Sequence, residues 1–294
     1  MNKPLFERVA LIGIGLIGSS LARVIRRDFP ETKIVACARR PETLEAVRRL
    51  NLADETTDDP AAAVAGADLV VFATPLSAYA ETGRRIAPAL RDGAIVTDVG
   101  SVKTIAIRDL KPVLPAHVHF VPGHPVAGTE HSGPESGFAE LFHERWCILT
   151  PLPETDPKAI AKVKALWESA GSRVATMPAD HHDKVLAMTS HLPHLIAYTI
   201  VGTATDLEED LKSEVIAYSA GGFRDFTRIA ASDPTMWRDI FVANREAVLE
   251  MLQRYSEDLT ALQRAIRRGD GDTLYDWFAR TRTIRRSIIE AKQA

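Results

Sequence analysis

Cysteine is almost missing from this sequence. The two present in 294 residues, Cys37 and Cys147, each sit inside an apolar run. They cannot build a disulfide framework, read as reduced core thiols, and imply a cytoplasmic protein. A strong charge imbalance is missing as well: at a formal net charge of -3 there is no electrostatic case for nucleic acid or an anionic membrane surface. No uninterrupted apolar run approaches the roughly 18 residues of a membrane span, and the first residues carry no small-residue cleavage site. Low-complexity segments and internal repeats are not found. Histidines cluster at His181, His182, His191 and His194, but no cysteine or carboxylate completes a ligand spacing, so no metal is expected. These exclusions leave a protein whose partner is a small molecule.

What is present is an α/β rhythm long enough for two domains. Arg8–Ile12 is an aliphatic run that opens directly into Gly13-Ile14-Gly15-Leu16-Ile17-Gly18, followed by helical spacing over Ser19–Arg27. Strand, GxGxxG and helix in that order form a dinucleotide-binding fingerprint. Gly13 permits the tight turn, Gly15 lets the backbone approach a pyrophosphate, and Gly18 lets helix and strand pack closely. The N–H groups that start the helix, around Leu16 and Ile17, face the phosphates with the positive end of the helix dipole. The second strand, Lys33–Ala38, ends without the acid that binds a ribose 2′-hydroxyl. Ala38 stands there and Arg39-Arg40 follow, two guanidiniums suited to a 2′-phosphate, which favours NADP over NAD. The other reading is that both arginines are solvated residues ahead of a helix opened by Pro41.

Further strands are predicted at Asp68–Ala73, Ala94–Asp98, His117–Val121, Trp146–Thr150 and Arg173–Met177, with helices at Ala78–Leu90 and Pro157–Ala170. Alternation of this kind predicts a doubly wound parallel sheet. Thr74-Pro75, Ser101 and His124 all follow strand ends, where such a sheet holds its ligand chemistry. His124 opens a polar, glycine-rich loop, Gly123–Gly133, and is the candidate acid/base. After Met177 the strand rhythm stops. Val248, Leu252, Tyr255, Leu259, Leu262 and Ile266 recur at steps of three and four, a helical face suited to a second copy of the chain. Gly269-Asp270-Gly271 then breaks that helix before a last one near Asp272–Ala291. The expected organisation is a dinucleotide-binding domain over 1–178 and a helical domain over 179–294. Arg224 and Arg228, four apart after Gly221-Gly222, are either an anion clamp for a di-acid or surface residues paired with Asp225.

Together these residues resemble the prephenate/arogenate (cyclohexadienyl) dehydrogenase family, most closely its alphaproteobacterial branch. The resemblance rests on GIGLIGSS at Gly13–Ser20, ATP at Ala73–Pro75 and DVGSVK at Asp98–Lys103. It continues with GHPVAGTEHSG at Gly123–Gly133, SHLPH at Ser190–His194 and GGFRDFTRIAASDPTMW at Gly221–Trp237. It spans nearly the whole chain in one order, and a fused chorismate mutase segment or C-terminal regulatory domain is not expected. The resemblance implies a Rossmann-like domain followed by a helical dimerisation domain, and oxidative decarboxylation of prephenate or arogenate with hydride transfer to NAD(P).

By the same resemblance His124 takes the proton of the substrate 4-hydroxyl, and Ser101 bonds that hydroxyl or orients His124. Arg228 holds the ring carboxylate with Arg224 nearby, and Thr129 and His194 face the side chain. Glu130, Ser190, His191, Asp225 and Trp237 shape or gate a pocket between the domains. Two rival readings remain open. A β-hydroxyacid dehydrogenase would need a helical lysine, for which only Lys184 and Lys212 are available. A non-catalytic dinucleotide-binding regulator would have no need of His124, Ser101 and Arg228 together.

Overall fold

The computed structural model describes residues 4–206, 214 and 221–290. Lys212, and Ala291 at the expected end of the last helix, lie outside them. The first strands are β1 (Arg8–Ile12), β2 (Lys33–Cys37), β3 (Glu55–Thr57), β4 (Leu69–Phe72), β5 (Ile95–Asp98) and β6 (His119–Val121). They form one six-stranded sheet in the order β3-β2-β1-β4-β5-β6, parallel throughout. Between them run α1 (Leu16–Asp28), α2 (Pro41–Arg49), α3 (Pro60–Val64), α4 (Tyr79–Ile86) and α5 (Lys103–Leu110). Strands β4 and β5 are buried at every position, as a parallel sheet covered on both faces requires. Strand order reverses between β1 and β4, which pair from Val9–Leu69 to Ile12–Phe72. That reversal puts the glycine turn after β1 and Thr74-Pro75 after β4 at the switch point where such sheets bind ligands. The edge strand β3, only Glu-Thr-Thr, is too short and polar to stand out in the sequence.

Two expectations need correction. Trp146–Thr150 and Arg173–Met177 do not extend the main sheet. With β7 (Gly123–Pro125), β8 (Trp146–Leu149) and β9 (Arg173–Thr176) form a separate sheet in the order β7-β8-β9, with β7 antiparallel to β8. His124 is therefore not in a loop but at the centre of β7, opposite Ile148. Pro122 separates β6 from β7. Lacking an N–H it cannot continue the β5 ladder, while its carbonyl accepts from Thr150 N at 2.9 Å and commits the chain to the second sheet.

The helix α6 (Pro157–Ser169) covers one face of the main sheet, where Trp167 meets Phe142 edge-on at 5.1 Å. After β9 come α7 (Ala179–Leu186), one π turn at Ala187–His191 and α8 (Leu192–Thr205), which continue one another. Then follow α9 (Gly221–Thr227) and α10 (Pro234–Ala243). Trp237 and Ile240 of α10 share a buried cluster with Phe72, Tyr79, Ile86 and Val96, so this helix is anchored to the nucleotide sheet. Each such large apolar side chain contributes on the order of 2–3 kcal/mol by leaving water.

The run Ala179–Thr205 spans 27 residues and contains an 18-residue window of mean hydropathy 1.2, long and apolar enough by those measures to cross a membrane. Its first turns are instead fixed inside the polar network described below. The chain divides into compact units Met1–Arg245 and Glu246–Ala294; the boundary read from the sequence at 178/179 falls within the first. The second unit takes in α11 (Arg245–Arg268) from its second residue, and α12 (Gly271–Glu290), joined where Gly269 adopts φ 66°. On α11 the expected apolar stripe is uneven: Val248 is buried, whereas Leu259 and Ile266 are more than half exposed.

Candidate active site

All the predicted site residues lie in the first unit. At the switch point, Gly13 has φ 96°, and a Cβ there would lie 2.5 Å from the Ala73 carbonyl oxygen. A Cβ on Gly18 would collide with the Gly13 carbonyl, whereas Gly15 faces open space. This is a cradle closed on the protein side and open on the ligand side. Gly15 caps α1 with no side chain, and the first bond of the helix runs from Ser19 N to the Gly15 carbonyl. The N–H groups of Leu16, Ile17 and Gly18 are thereby left for an anion. Beside them Thr74 Oγ1 is buried without a partner among the described residues. These features fit a dinucleotide. At the end of β2, Ala38 is half-buried and Arg39 and Arg40 are exposed, with Arg40 at the N-cap of α2.

The imidazole expected to act as base is buried, with only 6% of His124 exposed. Its Nδ1 lies 2.9 Å from Nε2 of His182, and His182 Nδ1 lies 2.8 Å from Asp183 Oδ1. The side chain hydrogen-bonded to His124 is His182 on α7; Ser101 is half-buried just past β5. Beneath this chain Lys103 Nζ contacts Asp98 and donates to the Gly123 carbonyl at 2.5 Å. Asp98 also accepts from Tyr79 Oη at 3.1 Å, Gly100 N at 2.9 Å and Gly123 N at 3.2 Å. One fully buried ion pair therefore ties the end of the nucleotide sheet to the strand that carries His124.

Electrostatics keep the site neutral where it must be. Burial, then His182, Lys103 and His191, hold His124 well below the ordinary imidazole value. Burial likewise lowers His182 and pulls His191 down to about 4. Lys103 is lowered by burial against the opposing pull of Asp98.

The SHLPH motif sits where the π turn passes into α8. Pro193 has no N–H for a regular turn and its ring crowds the preceding carbonyls, which a wider turn relieves. His191 is buried; Asn244 Nδ2 reaches both the Asp183 carbonyl, at 2.8 Å, and His191 Nδ1, at 3.1 Å. A carbonyl only accepts, so the amide is oriented as donor, His191 Nδ1 accepts, and its proton is on Nε2. That N–H is buried without a partner among the described residues, a donor awaiting an acceptor. His191 meets Trp237 edge-on at 6.1 Å, and His194 stacks on the same indole at 3.6 Å. His194 Nδ1 is 2.8 Å from the Ser190 carbonyl.

Arg228, in the 3₁₀ turn after α9, bonds Glu130 at 3.1 Å and is close enough to His194 to lower it, after burial. His191, Trp237 and His194 thus form one stacked cluster, with His191 close enough to His124 to lower it and Arg228, paired with Glu130, acting on His194. Arg224 and Asp225 do not join it; both are exposed and face each other at 3.7 Å. Thr129 is exposed on the loop after β7, its hydroxyl accepting from His131 N at 3.3 Å. Sequence reasoning missed His182 and Asp183 as His124 partners, and the Lys103–Asp98 pair. The signals were there: His182-Asp183 as adjacent residues, and Asp98 and Lys103 at the two ends of DVGSVK.

A nucleotide-binding parallel sheet beside a buried neutral imidazole defines a dinucleotide-dependent oxidoreductase. Similarity to known proteins narrows the class. Residues 21–176 match the prephenate dehydrogenase nucleotide-binding domain, and residues 178–280 match the prephenate dehydrogenase dimerization domain. The chain belongs to the prephenate dehydrogenase family. It is 43% identical over 283 residues to the cyclohexadienyl dehydrogenase of Zymomonas mobilis, covering 96% of each chain. Among solved structures it resembles prephenate dehydrogenase from Aquifex aeolicus in complex with hydroxyphenyl propionate and NAD+. That match has a TM-score of 0.89 and 34% identity, over 98% of this chain and 99% of that one. It also resembles Synechocystis arogenate dehydrogenase, with a TM-score of 0.78 and 28% identity over 95% and 98%.

Proposed function

We propose that this chain catalyses the oxidative decarboxylation of prephenate, arogenate or both in tyrosine biosynthesis, as a cytoplasmic homodimer. The observation that carries the reading is the buried His124, oriented by His182 on a strand tied to the nucleotide sheet through Asp98 and Lys103, with His191, Trp237, His194 and the Arg228–Glu130 pair in the same unit. When bound, the nicotinamide supplies a hydride acceptor. His124 accepts the proton of the 4-hydroxyl as hydride leaves the same carbon, and loss of carbon dioxide from the opposite ring carbon makes the ring aromatic. Ser101 assists at that hydroxyl. Arg228 holds the ring carboxylate; Arg224, exposed and facing Asp225, has no part in this. Thr129 and His194 face the substrate side chain; Ser190, His191 and Trp237 shape its walls. Glu130, held below its ordinary value by hydrogen bonding to its own backbone and by Arg228, is an anion available to the ammonium of arogenate. The dinucleotide is held by the domain over 1–178, through Gly13, Gly15, Leu16, Ile17, Gly18, Thr74 and Pro75. The domain over 179–294 supplies substrate contacts and the second copy's interface, for which exposed Met188, Ile200, Leu259 and Phe278 are available.

NADP is favoured over NAD. The support is Ala38 where an acid would bind the ribose, with Arg39 and Arg40 exposed beside it. Exchanging both arginines for alanine should weaken NADP binding about tenfold or more, since a bidentate guanidinium–phosphate pair is worth roughly 1.5–3 kcal/mol. Binding of NAD should change little; titration of the two dinucleotides by protein fluorescence checks this, and equal losses would remove the 2′-phosphate argument. Arg228→Ala should raise the Michaelis constant at least tenfold with the fold intact, because a carboxylate loses its charge-assisted partner. Initial rates at saturating dinucleotide read it.

The reading as a whole is tested by offering prephenate or arogenate, each with NAD or NADP, and following reduced nicotinamide. Turnover of either substrate establishes the reaction, and the best pairing fixes both preferences. Silence with all four, despite dinucleotide binding, would overturn it. Lys184, the lysine a β-hydroxyacid dehydrogenase would need, is exposed on α7, and His124, Ser101 and Arg228 have no use in a mere sensor.

A further inference from the structure

The hydrogen bonds behind His124 have a direction that can be followed atom by atom. Asp183 accepts from Lys103 N at 2.8 Å, Thr104 N at 2.9 Å and Thr104 Oγ1 at 2.5 Å. Backbone amides only donate, so the carboxyl must accept. Burial raises it, but hydrogen bonds from His182, Thr104 and the two amides outweigh burial and keep it an anion. His182 Nδ1, 2.8 Å from that anion, must therefore carry the proton. A neutral His182 then has a bare Nε2, and this atom lies 2.9 Å from His124 Nδ1. Two bare nitrogens cannot make a hydrogen bond, so the proton of His124 is on Nδ1. What remains is Nε2, with its lone pair free.

We propose that His182 and Asp183 are positioning residues that lock His124 in the Nδ1–H tautomer and share the proton it receives. The proposal rests on the reading of His124 as the base. When the substrate proton arrives at His124 Nε2, the Nδ1 proton moves toward His182 Nε2, and His182 keeps its own Nδ1 proton on Asp183. No proton is created or lost; the positive charge spreads over two rings that end on a fixed carboxylate. A carboxylate behind an imidazole is known to act in this way, fixing the tautomer and stabilising the imidazolium.

Other charged and titratable groups around His124 do not supply this. Lys103 and His191 disfavour its cation, Asp98 is taken up by Lys103, and burial keeps the Cys147 thiol protonated. Asn244, by donating to the Asp183 carbonyl, fixes the end of the chain.

The test combines kinetics with a direct view of the tautomer. In full-length protein with 15N-labelled histidine, His124 should show a protonated Nδ1 and a bare Nε2 at neutral pH. The resonance is assigned by its loss in His124→Asn. The variant His182→Gln places an amide oxygen where Nε2 was: it can accept the Nδ1 proton's hydrogen bond but cannot take the proton. It should lower kcat about 10- to 100-fold, part of the 10²–10⁴ supplied by a general base, with both Michaelis constants within about twofold. The acid limb of kcat/KM should also shift, because His182 both receives part of the proton and opposes the charge on His124. A purely structural role predicts unchanged kcat and pH profile in a folded variant, which would overturn the proposal. A protonated Nε2 in the parent protein would overturn it too, even if His182→Gln fails to fold. Full activity in His124→Asn would overturn the base reading itself, and the proposal with it. Loss in His124→Asn alone, with His182→Gln silent, would overturn the proposal and leave the base reading standing.

Discussion

Replacing His124 with asparagine should reduce turnover about 10²–10⁴-fold, the range a positioned general base contributes. Melting temperature and dinucleotide affinity should stay near those of the parent. Asparagine is the informative exchange because its amide nitrogen falls near the place of Nδ1 and can still donate to His182 Nε2, so the buried hydrogen bond at 2.9 Å has a substitute. Nothing replaces Nε2. The pH dependence of the parent protein follows from the same burial. A base works in its neutral form, so activity is present above the pKa of His124 and is lost as pH falls through it. An unperturbed imidazole would begin to fail near about 6.5. Here burial, His182, Lys103 and His191 put the value well below that, and kcat/KM should be flat across neutral pH with its acid limb displaced downward. A limb at or above the ordinary value, together with an active asparagine variant, would remove His124 from the chemistry.

Much of this is legible in the sequence itself. Arg8–Ile12 followed by the glycine turn names a nucleotide strand by composition alone, and the helix after it follows from spacing. That the strands run parallel follows from their alternation with helices. What is not legible has a common physical cause: partnership at long range. Trp146–Leu149 is apolar enough for any sheet, and only the proline ahead of Gly123 redirects it to a second one. His182 stands among histidines with no ligand spacing to single it out, and becomes the partner of a histidine 58 residues earlier only once α7 docks. Arg224 and Arg228 look equivalent on a helix face, yet only Arg228 reaches Glu130, 98 residues earlier. A one-dimensional pattern gives the face of an element but not what meets it.

The most consequential hidden partnership is Lys103 with Asp98, and Lys103→Met should be the most destabilising single exchange in the site. In sequence the lysine opens a helix and would pass for a solvated residue; in the fold it has no exposure at all. Methionine fills the same volume but leaves Asp98 as a buried anion with only the donors from Tyr79, Gly100 and Gly123. Breaking a buried pair from one side costs about 3–5 kcal/mol, far more than the pair itself contributes. In a protein of this size, at roughly 2–4 °C per kcal/mol, the midpoint should fall by about 10 °C. The Gly123 carbonyl also loses its donor, so β7 and His124 are left tied to β5 by the Gly123 N–H bond to Asp98. The cause is separable from simple loss of packing. Adding Asp98→Asn to Lys103→Met removes the stranded charge while keeping an acceptor for the tyrosine and the amides, and should restore part of the lost stability. The double-mutant cycle, read by chemical denaturation, then gives a coupling energy well above the about 0.5 kcal/mol expected of independent sites. If Lys103→Met melts within a degree or two of the parent, or if the second exchange adds to the damage, the ammonium is not what holds Asp98 and β7 together.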